Sequence, residues 1–152
     1  EELVRVLIEI DLQTFSEPTF SHYTAATLMR HGRVFLLLAD DNIIGTCVCV
    51  RSWELPNDVL ILSMGIRPGW RGRGLGQRFL RGVLTKLRQR GLRSVSLMVS
   101  VDNRRARKLY QDVGFEPTGT NIEDPRTGEG FLLLRAILQE PSVTPLPPPD
   151  HG

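Results

Sequence analysis

The segment over residues 59–91 constrains the fold more than any other part of the chain. VLILSMGI (59–66) is a continuous apolar run with the length of a buried strand, and RPGWRGRG (67–74) then alternates glycine with arginine. From Leu75 onward, apolar residues recur every three or four positions until Gly91, which is placed to end a helix. The segment therefore predicts a strand, a glycine-rich turn and an amphipathic helix in direct succession.

The first half of the chain predicts two helices and a β-hairpin. Residues 3–10 fit a helix; apolar residues also alternate there as in a strand, and we favour the helix. Ser21 is a candidate N-cap for a second helix over residues 23–30. Two apolar runs on either side of a turn, over residues 34–40 and 43–53, predict a hairpin.

The second half adds two strands and a helix around the segment already described. The pattern predicts a strand over residues 95–101, a helix that begins at Asp102 or Asn103 and ends at Gly114, and final strands over 115–120 and 131–138. This order predicts an α/β (α+β) fold, a mixed central sheet covered by helices. We expect one domain over residues 1–139 and a Pro-rich tail over residues 140–152.

The composition is ordinary for a soluble globular domain, with 152 residues of which 41% are apolar and 24% charged. No apolar run approaches the roughly 18 residues needed to cross a bilayer, and no signal-peptide pattern opens the chain. We therefore expect a cytoplasmic protein with no membrane partner.

The two cysteines, Cys47 and Cys49, lie two residues apart in a predicted strand. This spacing places both side chains on one face of the strand but too far apart for an unstrained disulfide. A metal site would need more ligands than this pair supplies. We expect packed free thiols in a reducing compartment and no bound metal.

Basic residues are concentrated around the glycine-rich turn. Between Asp58 and Asp102 the chain has no acidic residue, whereas arginine and lysine recur throughout. Such a segment favours a polyanionic partner, either a nucleic acid or a phosphate-bearing small molecule. Many of these arginines lie opposite the apolar stripe of one helix, which is normal for a solvated face, so we do not expect nucleic-acid binding.

The strand, glycine-rich turn and helix N-terminus together favour an anion. Unpaired main-chain N–H groups meet there, and the helix dipole adds positive potential. A Walker phosphate loop would need Gly-Lys-Ser/Thr, where this chain has GQR (76–78). A dinucleotide fingerprint that starts at Gly72 or Gly74 would need glycine where Gln77 and Phe79 stand. Both motifs are excluded.

Three patterns match one known family. RxxGxG (71–76) resembles the (Q/R)-x-x-G-x-(G/A) signature of the GNAT superfamily of acetyl-CoA-dependent N-acetyltransferases. The lead-in ILSMGIRPGW (61–70) is similar to the family's fourth strand and its Pro-containing turn, and NxxAxxLYxxxGF (103–115) resembles the second signature. The similarity covers about residues 3–138, is strongest over residues 59–120, and is closest in style to ribosomal-protein alanine acetyltransferase-like members.

This resemblance implies a mostly antiparallel sheet whose fourth and fifth strands splay apart to hold acetyl-CoA. It implies cofactor contacts at the strand end, the turn and the later helix: Met64, Gly65, Ile66, Arg71, Gly72, Arg73, Gly74, Leu75, Gly76 and Asn103. The turn's amides hold the pyrophosphate of CoA, and an amide near Gly65 or Ile66 polarises the thioester carbonyl. We expect Gly65 to permit a β-bulge. Asn103 is either a helix N-cap or a cofactor contact.

Tyr110 matches the family position of the general acid that serves the leaving thiolate. The alternative is a core tyrosine on one face of its helix, and we favour the functional role. A tyrosine pKa near 10 and a thiol pKa near 8.5 make full proton transfer unfavourable by roughly 2 kcal/mol in water. Tyr110 is therefore either a hydrogen-bond donor or an acid whose pKa the site depresses.

The general base that deprotonates the acceptor amine is left open. The family's fifth-strand glutamate corresponds to Met98 here. The candidates are Glu54 and a water relay held by Ser63, Ser96 or Ser100.

Three loops are expected to frame the acceptor pocket, over residues 16–20, 51–58 and 121–130. Their acidic residues suit a cationic amine. These residues are Glu17, Glu54, Glu123 and Asp124.

We therefore expect an N-acetyltransferase, monomeric or homodimeric, in which a primary amine attacks acetyl-CoA directly in a ternary complex. The missing glutamate suggests one alternative, a catalytically silent acyl-CoA-binding module. The resemblance to the ribosomal-protein members suggests another, an enzyme for peptide N-termini. The family opens with a strand before its first helix, and because Glu1 already lies at that helix, we expect this chain to lack that strand.

Overall fold

The computed structural model describes residues 1–15 and 20–139; the predicted Pro-rich tail lies outside these ranges. In chain order the elements are α1 (Glu2–Thr14), α2 (His22–His31), β1 (Arg33–Ala39), β2 (Asn42–Arg51), β3 (Asp58–Ile66), a 3-10 turn (Pro68–Trp70), α3 (Leu75–Gln89), β4 (Ser94–Ser100), α4 (Arg104–Val113), β5 (Glu116–Glu123) and β6 (Gly130–Ile137). The predicted order of helices and strands is confirmed, and the first segment is a helix.

The strands of the described chain form one six-stranded sheet in the order β1-β2-β3-β4-β6-β5. β3 and β4 run parallel, and every other neighbouring pair is antiparallel, which confirms the mixed, mostly antiparallel sheet. Residues 121–123, predicted as loop, instead extend β5 because they pair with β6, as Ile122 does with Phe131. None of the described helices is long and apolar enough to cross a membrane.

The helices begin and end at capping residues that the sequence predicts. Ser21 caps α2, since its hydroxyl oxygen accepts from the Thr24 N–H at 3.1 Å. Gly91 and Gly114 follow the last turns of α3 and α4 with φ of 81° and 108°, a left-handed conformation that favours glycine. These stops fix where β4 and β5 begin.

The helices cover the two faces of the sheet in two apolar clusters. The larger cluster packs α3 on the face that carries Cys47, Cys49 and Ile61, and the smaller one packs α1 and α2 around Val48. Cys47, Val48 and Cys49 are consecutive on β2, so alternation along that strand places the clusters on opposite faces. The predicted apolar stripe of α3 is confirmed, with Phe79, Leu80, Val83, Leu84 and Leu87 all buried.

Helix α1 approaches β3 closely at Gly65. A Cβ at this position would lie 2.1 Å from Thr14 Oγ1 and 3.2 Å from Ile10 Cγ2. The Thr14 hydroxyl also donates to the Ile10 carbonyl at 2.7 Å, so it cannot turn away without losing a hydrogen bond. The prediction of a bulge at Gly65 is wrong: the register shift falls at Leu62, and Gly65 is small because a helix lies against it.

We expect Gly65→Ala to lower the free energy of unfolding by about 2 kcal/mol, because overpacking a close contact typically costs 1–3 kcal/mol. Urea denaturation measures this loss. Gly82→Ala is the matched control: Gly82 is exposed on α3 with nothing within 4 Å of an added Cβ, so it should gain up to about 1 kcal/mol. Equal stability of Gly65→Ala and the unmodified chain would contradict the close approach.

Candidate active site

β3 and β4 separate along the second half of β3. They pair from Asp58 with Ser94 to Ile61 with Leu97, and beyond that point residues 62–66 have no partner on the β4 side in the described chain. The residues that the resemblance assigned to the fourth strand lie in β3, and β4 is the next strand along the chain, so the predicted splay is confirmed.

A cavity of about 710 Å³ occupies this gap. It is lined by both strands, by α4 and by the β5–β6 loop, through residues that include Leu62, Met64, Met98, Ser100, Tyr110 and Glu129. The cavity between the separated strands therefore lies beside Tyr110, the predicted catalytic residue.

The glycine-rich turn presents a run of unpaired main-chain donors. Gly72 and Gly74 adopt left-handed conformations with φ of 78° and 71°, and Gly74 is the N-cap of α3 without a capping side chain. The helix's first main-chain bond joins the Arg78 N–H to the Gly74 carbonyl at 3.2 Å. From Gly72 to Gln77, six successive N–H groups donate to no carbonyl or side chain of the described residues. An anion is the partner such a helix start favours.

A second cavity, of about 590 Å³, joins this turn to the end of β3 and to α4. It brings together nearly all the predicted cofactor and catalytic residues: Met64, Gly65, Ile66, Arg71, Gly72, Gly74, Leu75, Gly76, Asn103 and Tyr110. Arg105 and Lys108 also line it, together with Asp112, which pairs with Lys108 at 3.7 Å. The net charge that these three residues add beside the unpaired amides is therefore that of one cation.

The two arginines of the turn have internal roles. Arg71 donates from Nε to the Ile66 carbonyl at 2.8 Å and from a terminal nitrogen to the Gln13 carbonyl at 2.7 Å, so it ties the end of α1 to the end of β3. Arg73 is the one predicted cofactor residue outside the cavity lining, and its guanidinium lies 5.2 Å from the ring centroid of Trp70. The predicted contact of Arg73 with the cofactor therefore stays a prediction.

Asn103 is a helix cap. Its side-chain oxygen accepts from the Ala106 N–H at 3.1 Å, and this bond starts α4 at Arg104. Asn103 also lines both cavities, so the cap holds α4, and with it Tyr110, against the gap. The structure confirms the role of Asn103 as a helix N-cap, and its contact with the cofactor stays a prediction.

Tyr110 is half-buried and lines both cavities. Its ring meets Phe115 edge-on, with centroids 5.8 Å apart. Burial is the main cause that raises the pKa of Tyr110 to about 12, and the nearby Cys47 thiol adds to it. The alternative in which the site depresses this pKa is wrong. With a thiol pKa near 8.5, full proton transfer would cost about 5 kcal/mol, so Tyr110 is suited to donate a hydrogen bond while keeping its proton.

The two cysteines lie beneath this site as free thiols. Both are buried, with their sulfur atoms 4.0 Å apart, and the prediction of packed, unbridged thiols is confirmed. The hydrogen bond with Cys49, together with burial, raises the pKa of Cys47 well above its ordinary value, so the thiol stays neutral. Among the described residues, no group of three or more potential metal ligands is placed to hold an ion.

The loop over residues 51–58 contributes nothing to the lining of the gap. It precedes β3, and the first residue of that strand on the cavity wall is Ile61. The lining therefore contradicts the prediction that this loop frames the acceptor pocket. It also removes Glu54, which is exposed, from the candidate bases.

The other two loops have different outcomes. Residues 16–19, with Glu17, lie outside the described residues, although Phe15 lines the gap just before them. The loop between β5 and β6 contributes Thr127 and Glu129 to the cavity wall. Asp124 is not on that wall: it accepts hydrogen bonds within its own turn, chiefly from the Arg126 N–H, which lower its pKa. Glu123 does not line the cavity either.

The remaining base candidates differ in what their hydroxyl groups already do. Met98, at the position that the resemblance assigns to the family glutamate, has an apolar side chain that is 48% exposed on the cavity wall. Ser96 accepts from Arg135 Nε at 3.2 Å, and Ser100 accepts from the Asp102 N–H at 3.4 Å. Neither hydroxyl is shown donating to a group that would take its proton.

Ser63 differs, because its hydroxyl donates to Asp11 Oδ1 at 3.2 Å and it lines the gap. Asp11 on α1 was not predicted as a site residue. The signal was present, since a carboxylate follows Val4, Leu7 and Ile10 on the apolar side of this helix, where only 2% of Asp11 is exposed. A charged residue at an apolar helical position favours a specific partner inside the protein.

Comparison with known proteins identifies the family. Residues 1–115 match the sequence model of the Acetyltransferase (GNAT) family, and the chain belongs to it. A putative ribosomal protein bS18-alanine N-acetyltransferase of Bacillus subtilis (strain 168) is 28% identical over 137 residues, which cover 87% of each chain.

Two solved structures share the fold. The ribosomal-protein-S18-alanine N-acetyltransferase of Escherichia coli matches with a TM-score of 0.80 at 17% identity, covering 93% of this chain and 91% of that one. A Bacillus subtilis acetyltransferase in complex with CoA matches with a TM-score of 0.72 at 16% identity, covering 89% and 93%. The family predicted from the motifs is therefore confirmed.

The raised pKa of Tyr110 predicts a specific alkaline titration. The sequence has two tyrosines, so in Tyr23→Phe the only phenol is Tyr110. We expect its ultraviolet phenolate signal near pH 12 rather than near its ordinary value of 10. The raised pKa contributes stability that is fully present below pH 10 and is lost as the pH rises toward 12, because the unfolded chain ionises first, by up to about 3 kcal/mol.

The double variant with Tyr23→Phe and Tyr110→Phe isolates this contribution from other alkaline groups. Its free energy of unfolding should fall less between pH 10 and 12 than that of the single variant. An identical decline in both variants, or a phenolate signal at pH 10, would show that Tyr110 is not shielded.

Proposed function

We propose that this GNAT-family chain transfers the acetyl group of acetyl-CoA to a primary amine, by direct attack within a ternary complex. The observation that carries the proposal is the run of six unpaired main-chain N–H groups from Gly72 to Gln77. All of these residues except Arg73 line a cavity that also holds Tyr110. These donors suit a diphosphate, and CoA bears a diphosphate and a thioester on one molecule.

The shape of the site supports this ligand. The unpaired β4-facing edge of β3 over residues 62–66 offers main-chain groups for an extended chain such as pantetheine, as an added strand would use them. The main chain of Gly65 or Ile66 would polarise the thioester carbonyl and stabilise the oxyanion that forms there. Arg105 supplies further positive charge beside the turn, whereas Lys108 is paired with Asp112.

In the chemical step, the amine nitrogen bonds to the carbonyl carbon while the carbon–sulfur bond breaks. Tyr110 keeps its proton and donates a hydrogen bond to the departing sulfur, a role that suits a phenol whose pKa is raised to about 12. The products are an N-acetylated amine and CoA, so the amine must lose one proton to the protein or to water.

The cavity in the gap has a mixed lining. Phe15, Leu62, Met98 and Phe131 form an apolar part, and Glu129 is among the polar residues. An amine attached to an apolar group, as in the N-terminus of a peptide, fits this lining. The similar relatives that act on ribosomal protein S18 support the same acceptor class.

Thiol release from acetyl-CoA tests the function directly. The chain is assayed against alkylamines, polyamines, aminoglycosides and peptides with free N-termini, and we expect CoA release with at least one class. Binding of CoA without release across the panel would instead support a silent acyl-CoA-binding module, the reading that the replacement of the family glutamate by Met98 favours.

The conformation of the turn predicts which glycine matters for CoA. Gly74→Ala forces a side chain into a left-handed conformation with φ of 71°, which costs roughly 1–2 kcal/mol and displaces the adjacent amides. We expect the Kd for CoA, measured by calorimetry, to rise about tenfold.

Gly76→Ala is the matched control for this experiment. An added Cβ there meets Leu109 and Ile66 at the ordinary distances of 3.7 and 3.8 Å, so the Kd for CoA should change little. A Gly74→Ala variant that binds CoA as tightly as Gly76→Ala would remove the turn from the site.

Tyr110→Phe separates chemistry from binding. We expect kcat to fall about 100-fold, the cost of removing one donor to a developing charge, while the Kd for CoA stays the same. Turnover equal to that of the unmodified chain would exclude Tyr110 from the mechanism. A comparable loss of CoA affinity would make it a packing residue.

A further inference from the structure

The site lacks a carboxylate where the family places its base, and the two strands of the gap offer serines instead. Two of these serines donate to a buried carboxylate: Ser63 to Asp11 and Ser94 to Asp58. Ser94 and Asp58 lie at the closed end of the β3–β4 pair, whereas Ser63 lines the gap. One Ser–Asp pair therefore lies at the acceptor cavity, and the other lies away from it on the same strands.

The geometry at Ser63 places the carboxylate one layer behind the cavity. Ser63 is 5% exposed and Asp11 is 2% exposed, and their oxygen atoms are 3.2 Å apart. The bulge at Leu62 interrupts the pairing of β2 with β3 immediately before Ser63. Such a bulge changes the direction in which neighbouring side chains point, which brings Ser63 to both α1 and the gap.

We propose that Ser63 and Asp11 form the proton relay that deprotonates the acceptor amine. This inference rests on the proposed acetyl transfer. The ammonium N–H bond breaks and its proton moves to Ser63 Oγ, directly or through one water molecule, as the hydroxyl proton of Ser63 moves to Asp11 Oδ1. The nitrogen keeps the electron pair with which it attacks the thioester. Asp11 acts through Ser63 and is a positioning residue.

The other charged or titratable groups to consider in the described chain lie on the elements around this pair. They are Glu9 on α1, Arg67 and Arg71 beyond β3, Cys47 on the far face of β2, the exposed His22, Tyr23, Arg30 and His31 of α2, and Asp102, Tyr110 and Glu129 around the cavity. Glu9 pairs with Arg67 at 2.8 Å, and Arg71 is bonded to main-chain carbonyls. Of the cavity carboxylates, Asp102 and Glu129 are exposed at the rim.

The test is the pH dependence of kcat/KM in Asp11→Asn, with two amines of different pKa. Below the pKa of the amine, we expect kcat/KM to fall about 100-fold, the typical contribution of a general base. Above it the deficit should shrink, since a free amine needs no base. The pH at which kcat/KM of the variant approaches that of the unmodified chain should depend on the amine. It should be about 2.5 units higher for a lysine-like amine, pKa near 10.4, than for a peptide α-amine, pKa near 8. The Kd for CoA should stay unchanged.

Asp58→Asn is the matched control, because it also removes a buried carboxylate that accepts from a strand serine. We expect it to lower stability to urea without any pH-dependent loss of kcat/KM. A deficit in Asp11→Asn that is the same at every pH, or that Asp58→Asn shares, would overturn the relay and leave Asp11 a packing residue.

Variants at Ser63 test the proton relay if Asp11→Asn does not fold. Ser63→Ala should show the same pH-dependent deficit, and Ser63→Thr, which keeps the hydroxyl, should restore most of the activity. Equal activity of Ser63→Ala and the unmodified chain would overturn the relay. If the unmodified chain binds CoA but releases none from acetyl-CoA with any amine, the proposed transfer fails first and the relay with it.

Discussion

The site depends on a failure of strand pairing. A sheet interior normally satisfies its main-chain N–H and C=O groups across both neighbours, and burying them unpaired is costly. Here β3 and β4 stop pairing after Ile61 and Leu97, and the exposed edge of residues 62–66 lines cavities rather than a strand. Six further unpaired N–H groups follow at the start of α3. Among the described residues, a side chain reaches this edge only at the Ile66 carbonyl, which accepts from Arg71 Nε. A ligand with hydrogen-bonding groups along its length would satisfy the rest.

The open edge is held in place by α1. Thr14 packs against Gly65, Arg71 joins the Gln13 and Ile66 carbonyls, and Asp11 accepts from Ser63. These contacts hold the half of β3 that is not paired with β4, so this half stays extended although only β2, among the described strands, lies beside it. Helix α1 also carries Asp11, the carboxylate proposed to accept a proton. One helix therefore both holds β3 in place and contributes to the proposed reaction.

Local patterns in the sequence predicted the parts that depend on neighbouring residues. The stripe of α3, the caps at Ser21 and Asn103 and the free thiols follow from spacing alone, and the motifs identified the family. Contacts between distant residues were not accessible in this way. Ser63 and Asp11 are separated by 52 positions, and the small size of Gly65 reflects a helix some 50 residues earlier in the chain. Glu54 was misplaced for the same reason, because a linear sequence does not show at which end of the sheet a loop lies.

The replacement of a wall carboxylate by Met98 has an electrostatic consequence for the leaving group. In the proposed transfer, a carboxylate at position 98 would repel the thiolate that forms beside Tyr110, and an apolar side chain there lowers the local dielectric, which strengthens a hydrogen bond to that charge. The two carboxylates that do line the cavity, Asp102 and Glu129, are exposed, so solvent screens them. The buried position of Asp11 keeps negative charge behind Ser63 and away from the sulfur. The neutral Tyr110, with its raised pKa, then faces the developing charge with a proton it does not lose. Separating the proton acceptor from the thiolate by the thickness of one strand allows both charges to form in one small site.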